Sequence, residues 1–233
     1  MLCGSLQSLI LHQEVFAVNI LTFQSKKCMF QISTIDEKAY KVLQQLFAIP
    51  YIKKNFALAG GTALALQIGH RRSIDLDLFA PKPFIIPKLQ DTLRENFKEL
   101  YVPVRNNRLM FFAKVDDIKT DFVMELSPLI KKFVEEADLK LFSIPDIAAM
   151  KLHTICGRGK KKDFFDVYAL LHLYSWEELL KFFVEKYNEY QLQFLFRSIQ
   201  YFEDADKEAD ISSIHPYKTK WSEIKKFIKN KTK

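Results

Sequence analysis

Residues 56–79, FALAGGTALALQIGHRRSIDLDLF, constrain this chain more than any other stretch. Only 6 glycines occur in 233 residues, yet Gly60 and Gly61 stand together, directly ahead of Thr62 and a run of helix formers. The apolar residues at 56–59 read as a short strand and 62–68 as a helix. The alternation over 73–79 predicts a second strand, with Asp75 and Asp77 on one face and Ile74, Leu76 and Leu78 on the other. Carboxylates two residues apart on a strand lie roughly 6–7 Å from each other, a spacing that suits hard divalent cations, which join carboxylates to phosphates. Glycines opening a helix leave backbone N–H groups unobstructed, and the helix dipole favours an anion there. Together these features predict a phosphoryl-transfer site. A tight turn plus a solvated edge strand is the plainer alternative, but it does not explain why the opposite strand face is apolar.

Around this unit the order of elements is legible. Thr34 and Glu37 form a capping box for a helix whose face carries Tyr40, Leu43, Leu46 and Phe47, and Pro50 stops it. Residues 87–100 read as a helix. Residues 109–115 and 118–126 read as a hairpin around Asp116 and Asp117, with Asp121 on its second strand. From residue 143 onward only helical periodicity remains, in SIPDIAAMKLHTIC, in DFFDVYALLHLY after the turn GRGKKK, and in 176–190, 192–202 and 217–229. The predicted class is therefore α+β, with three parts: an N-terminal arm over 1–28, an α+β core over 29–142 and a helical region over 143–233.

Composition narrows the class further. Cys3, Cys28 and Cys156 are scattered, with no spacing suited to zinc or a disulfide framework, which fits a reducing cytoplasm. The apolar N-terminal stretch is interrupted by His12, Gln13 and Glu14 and has no basic leader, so the expectation is a cytoplasmic protein with no membrane partner. Seven lysines against one glutamate over 216–233 carry six of the seven net positive charges. Trp221, Ile224, Phe227 and Ile228 recur there at helical spacing, so this is a basic amphipathic helix. Two readings stand for it, a docked helix with a solvated lysine face and a nucleic-acid contact.

Gly-Gly-Thr, twelve residues from Ala63 to Ile74, then Asp75-Leu76-Asp77 resembles the signature of DNA polymerase β-type nucleotidyltransferases. More narrowly, GGTALALQIGHRRSIDLDLF, Asp121 in IKTDFV, and SIPDIAAMKLHTICGRGKKKDFFDVYALL resemble AbiEii/AbiGii-type toxin nucleotidyltransferases, a likeness spanning roughly residues 34–175. The resemblance implies a polymerase β-like sheet with flanking helices. It implies Gly60, Gly61 and Thr62 at the triphosphate, and Asp75, Asp77 and Asp121 as ligands of Mg²⁺ or Mn²⁺, with Asp121 alternatively a base or a solvent-facing strand residue. Lys151, on an apolar helix, reads as aimed at phosphates or as a solvated surface lysine. Asp163 reads as a catalytic residue or the N-cap of a helix from Phe164. Asp166 shares its helix face and is placed with the nucleotide. Arg71 reads as a phosphate contact or a surface ion pair, and Ser73 stands beside the aspartates. Arg158 and Lys160 to Lys162 form a basic cluster for nucleotide or RNA, or a solvated loop.

The activity so implied moves a nucleoside monophosphate from an NTP to an acceptor hydroxyl, with RNA, tRNA included, as the expected acceptor. The implied role is the toxin of a toxin–antitoxin or abortive-infection system in phage defence, with a separately encoded antitoxin as partner. The alternatives are nucleotidylation of a small molecule or protein, and a catalytically silent nucleotide- or RNA-binding module.

Overall fold

The computed structural model describes residues 30–103 and 109–233. The expected arm over 1–28, with Cys3 and Cys28, lies outside the described residues. Helix α1 (Glu37–Ala48) buries Leu43, Leu46 and Phe47 as its pattern predicts, together with Ala39 and Val42, while Tyr40 is half-buried. Its cap is Asp36, which accepts from the Lys38 and Ala39 amides, whereas Thr34 bonds back to the Gln31 carbonyl. The capping box expected at Thr34 is thus corrected: Asp36 stands next to the first turn and wins the contest for its free N–H groups. Pro50 ends α1 by opening the next helix, α2 (Pro50–Asn55), where its missing N–H costs nothing.

The strands of the described residues all belong to one mixed sheet. Strand β1 (Ala57–Leu58) leads into helix α3 (Gly60–Ile68), then β2 (Leu76–Ala80), α4 (Ile86–Asn96) and β3 (Leu100–Tyr101). Strands β4 (Met110–Val115) and β5 (Ile118–Met124) form the expected hairpin, with Asp116 and Asp117 at left-handed φ in its turn. A second hairpin, β6 (Val134–Glu136) and β7 (Leu139–Leu141), turns at Ala137 and Asp138 in the same conformation. The sheet order is β3-β4-β5-β2-β1-β7-β6. Pairs β2/β5 and β1/β7 are parallel and the remainder antiparallel. The α+β class read from the sequence is the one observed.

Helices come after the last strand: α5 (Ile144–Gly157), α6 (Lys161–Leu170), α7 (Trp176–Tyr187), α8 (Leu192–Ser198), α9 (Glu203–Asp206) and α10 (Trp221–Lys231). Ser143 caps α5 by accepting from the Asp146 amide. Asp146, fully buried, accepts from the Ile130 and Lys131 amides, Ser143 Oγ and Lys186 Nζ. A buried charge with every oxygen engaged locks the 127–133 connection onto α5 and α7 rather than destabilising them. One apolar core runs from the sheet into these helices and includes Phe56, Phe111, Phe122, Phe142, Phe164, Phe165 and Phe183. No helix of the described residues is long and apolar enough to cross a membrane.

The basic C-terminal helix is docked. Ile224 and Ile228 of α10 are buried, Trp221 packs against Phe164 and Phe202, and Phe227 stacks on His172 at 4.5 Å. Lys218, Lys220, Lys226, Lys229, Lys231 and Lys233 are exposed on this helix and beside it, while Lys225 bonds Asp206.

Candidate functional site

The sheet and α5–α6 enclose a cleft of about 730 Å³, within the size range of small-molecule sites. Its sheet wall carries the aspartates. In the parallel pairing of β2 and β5, Asp77 lies directly opposite Asp121; Asp75 sits two residues upstream, ahead of the strand, and all three line the cleft. The expected strand over 73–79 begins only at Leu76. Ile74 is accordingly exposed at 61% instead of facing the core.

Tertiary contacts account for the glycine pair. Gly60 has φ +65°, and a Cβ there would collide with Asp77 Oδ2; a Cβ on Gly61 would collide with the Arg71 guanidinium. Only glycine combines left-handed φ with this approach. The two glycines are the first residues of α3, not a turn ahead of it, so the helix N-terminus lies against the carboxylates. Thr62 is buried behind it. Its hydroxyl meets Ser73 Oγ at 2.8 Å and donates to the Asp75 carbonyl, fixing the segment that carries Asp75. The triphosphate contact expected of Thr62 is therefore unavailable to its side chain, which does not line the cleft, whereas Ser73 does.

The helical wall is an ion network. Asp166 is fully buried and takes Arg71 Nε at 2.6 Å and Nη2 at 3.1 Å, Lys151 Nζ at 2.6 Å and His70 Nε2 at 2.7 Å. Burial alone would raise its carboxyl, but Arg71 and Lys151 hold it well below the usual carboxylate range. With both oxygens occupied and no exposure, Asp166 cannot touch a nucleotide as expected; it holds Arg71 and Lys151. Arg71 is 5% exposed, so its ion pair is internal rather than on the surface, yet it still reaches the cleft. Lys151 is turned inward, with Nζ also 3.0 Å from Asp163 Oδ1. Helix α6 starts at Lys161 with Lys160 as N-cap, which corrects the N-cap alternative for Asp163. Asp163 lies in the first turn and lines the cleft.

Two lysines complete the cleft: Lys119, which the sequence reading did not single out, and Lys162, a member of the expected basic cluster. Lys119 Nζ lies 2.7 Å from Asp121 Oδ2, and Lys162 Nζ lies 3.1 Å from Asp75 Oδ2. Lys119 stands two residues before Asp121, so strand periodicity already placed both on one face. Of the basic cluster, Arg158 and Lys162 line the cleft, while Lys161 turns away to the Glu208 carbonyl and Asp210. Burial pushes the Asp77 carboxyl up, Lys119 and Lys151 oppose this, and Asp121 and Asp75 add to it. Asp121 Oδ1 is buried without a hydrogen-bond partner.

These observations bear on a metal ion. The donors are hard carboxylate oxygens, one of them orphaned, and Asp77 directly opposes Asp121 across the two strands. Among the described residues, no three His, Cys, Asp or Glu side chains already converge on one ion position. The residues fit a cation that completes its shell with ligands from a substrate. Away from the aspartates the cleft is apolar and aromatic, with Phe79, Met110, Phe112, Val123 and Tyr187. Tyr187 stacks on His153 at 4.3 Å and donates to Glu125 Oε2 at 2.9 Å.

Residues 41–232 match the family described as "Nucleotidyl transferase AbiEii toxin, Type IV TA system". The chain belongs to the AbiEii nucleotidyl transferase toxin family. Membership in the AbiEii family makes it an enzyme of nucleotidyl transfer. Protein aq_aa25 of Aquifex aeolicus (strain VF5) is 35% identical over 188 residues, covering 78% of this chain and 88% of its own. JHP933 from Helicobacter pylori is similar in structure, with a TM-score of 0.50 at 16% identity, over 85% of this chain and 91% of that one. MenT4, a nucleotidyltransferase toxin from Mycobacterium tuberculosis H37Rv, also has a TM-score of 0.50, at 13% identity over 94% and 88% of the two chains. At these identities the two structures speak to the fold of an AbiEii-type chain alone.

Proposed function

We propose that this AbiEii-family chain transfers a nucleoside monophosphate from an NTP to a hydroxyl of RNA, tRNA included. In this reading it acts as the cytoplasmic toxin of a two-component defence system held in check by a separately encoded antitoxin. The observation that carries the chemistry is the register of Asp77 against Asp121, with Asp75 two residues upstream and the N-terminus of α3 packed on Asp77. Asp75, Asp77 and Asp121 would hold Mg²⁺ or Mn²⁺, which when bound neutralises charge on the phosphates as they react.

The remaining roles belong to the chain itself. Gly60 and Gly61 offer backbone N–H groups to a phosphate without side-chain obstruction. Arg71 and Lys151, anchored from behind by Asp166, present fixed positive charge whose orientation costs nothing at the moment of reaction. Asp163, with Oδ2 buried and unpartnered, holds the Lys151 ammonium in place. The apolar and aromatic wall suits a nucleobase, and Arg158 with the exposed lysines of the C-terminal segment favours a phosphate-rich acceptor.

The test supplies each of the four α-labelled NTPs with Mg²⁺ or Mn²⁺ and, separately, total RNA, a protein extract and a metabolite extract. Label is expected in RNA. Label in protein or in a small molecule would overturn the acceptor assignment. No transfer under any of these conditions would overturn nucleotidyl transfer itself.

A further inference from the structure

The ion pairs of the cleft fall into two kinds. Lys151 is enclosed, with its side chain 9% exposed, and is held by two carboxylates at once. Lys119 and Lys162 each have one carboxylate, on Asp121 and Asp75, and their side chains are 52% and 41% exposed. Their partners sit deeper, at 10% and 27%. Each ammonium thus covers its carboxylate from the solvent side on a flexible stem. A lysine is suited to leave such a position, being a compact charge on four carbons, and a half-exposed pair of this kind holds weakly.

The carboxylates also need these charges while no substrate is present. Asp77 and Asp121 are directly opposed on neighbouring strands, where like charges repel, and Asp75 lies on the same wall. Among the described residues no acidic or histidine triplet is assembled to capture a cation unaided.

We propose that Lys119 and Lys162 are the resident cations of the nucleotide-free site: each neutralises one aspartate until a metal ion takes its place, and then moves to the triphosphate. The divalent ion accordingly enters with the nucleotide and not ahead of it. Both lysines become nucleotide-binding residues. This inference rests on the nucleotidyl-transfer reading.

Binding of Mn²⁺, monitored by loss of its free-ion electron paramagnetic resonance signal beyond that lost to the nucleotide analogue in a protein-free control, tests this on the full chain. Wild type should bind Mn²⁺ alone at least tenfold more weakly than Mn²⁺ with a non-transferable α,β-methylene NTP. Lys119→Met with Lys162→Met should tighten Mn²⁺ alone about tenfold and weaken the analogue about tenfold when Ca²⁺ is the ion. Adding Asp77→Asn should abolish the gained Mn²⁺ affinity, locating the ion at the aspartates. Melting temperatures should stay within a few degrees, because both lysines are half-exposed. Equal Mn²⁺ affinity with and without the analogue, or unchanged Mn²⁺ affinity in the double variant, would overturn the assignment. If label transfer still occurs in that case, only the counter-ion assignment falls. Absence of both analogue binding and label transfer would remove the nucleotidyl-transfer reading along with it.

Discussion

Asp77 is an acid placed where its charge is costly. Burial raises its carboxyl, Lys119 and Lys151 offset only part of this, and Asp121 and Asp75 push the same way as burial. A group whose pKa is raised on folding contributes stability below its unfolded pKa and loses that contribution as pH rises through the folded value. At neutral pH the Asp77 charge therefore opposes folding. Asp77→Asn keeps the shape and removes the charge, so it should abolish label transfer while raising stability by about 1 kcal/mol, a trade of stability for activity. Thermal melts and transfer assays on one preparation check both halves, and a lower melting temperature would contradict the electrostatic account. Lys151 behaves in the opposite way. It is 7% exposed and bonded to Asp163 and Asp166, so Lys151→Ala strands negative charge in the interior and should cost about 3 kcal/mol in urea unfolding. Asp163→Asn in the same chain should recover part of that loss, since the two residues are directly coupled.

At the scale of elements, α10 has two faces with separable roles. Its apolar face covers Phe164, Tyr168 and His172 through Trp221 and Phe227, so removing residues 216–233 would uncover core as well as charge. Substitution of the exposed lysines isolates the electrostatic role. Lys218, Lys220, Lys226 and Lys233 changed together to Gln should leave stability within roughly 0.5 kcal/mol per site. The same change should flatten the dependence of RNA affinity on salt by up to roughly 0.7 in log–log slope for each lysine that meets a phosphate of a single strand. Fluorescence anisotropy of a labelled RNA between low and physiological salt reads this slope. An unchanged slope would assign these lysines to solvation alone. Lys225 is left out because it holds Asp206, and Lys229 and Lys231 because their ammonium groups lie over the Phe202 and Phe227 rings.

For the molecule as a whole, the buried titratable groups predict sensitivity to acid. Burial pushes His172 down to about 4, and Lys231 adds to the shift; His70 is lowered by burial against the pull of Asp166. A histidine lowered on folding contributes stability that is present above its unfolded pKa near 6.5 and lost as pH falls towards the folded value. For His172 that window runs from about 6.5 down to about 4 and corresponds to on the order of 2–3 kcal/mol. Asp166, lowered by Arg71 and Lys151 against burial, adds a loss below its unfolded value of 3.8. Asp77 works in the opposite direction but is one group. Urea unfolding at pH 7, 5.5 and 4.5 should show falling stability, and His172→Gln should flatten that fall.

The sequence alone carried the parts of this protein that depend on neighbours along the chain. Period-two alternation put the acidic residues of β2 and β5 on the face away from their apolar neighbours, the helical apolar stripes marked α1, α5 and α10, and the glycine pair marked a special backbone ahead of Asp75 and Asp77. Short-range competition already blurred the detail. Asp36 and Thr34 both suit a cap, and the β6–β7 hairpin went unread because three-residue strands around an Ala-Asp turn carry little periodic signal. Only the tertiary structure decided which charges meet. Lys151 and Asp163 are separated by a turn whose path is set by helix packing, and Asp166 reaches His70 and Arg71 from more than ninety residues away. It likewise brought Asp77 opposite Asp121, because β2 and β5 pair in parallel with no shared turn to set their register. Periodicity and caps are written in local sterics and hydrogen bonding, whereas such long-range pairs arise from how buried apolar faces close on one another, and no single segment encodes that.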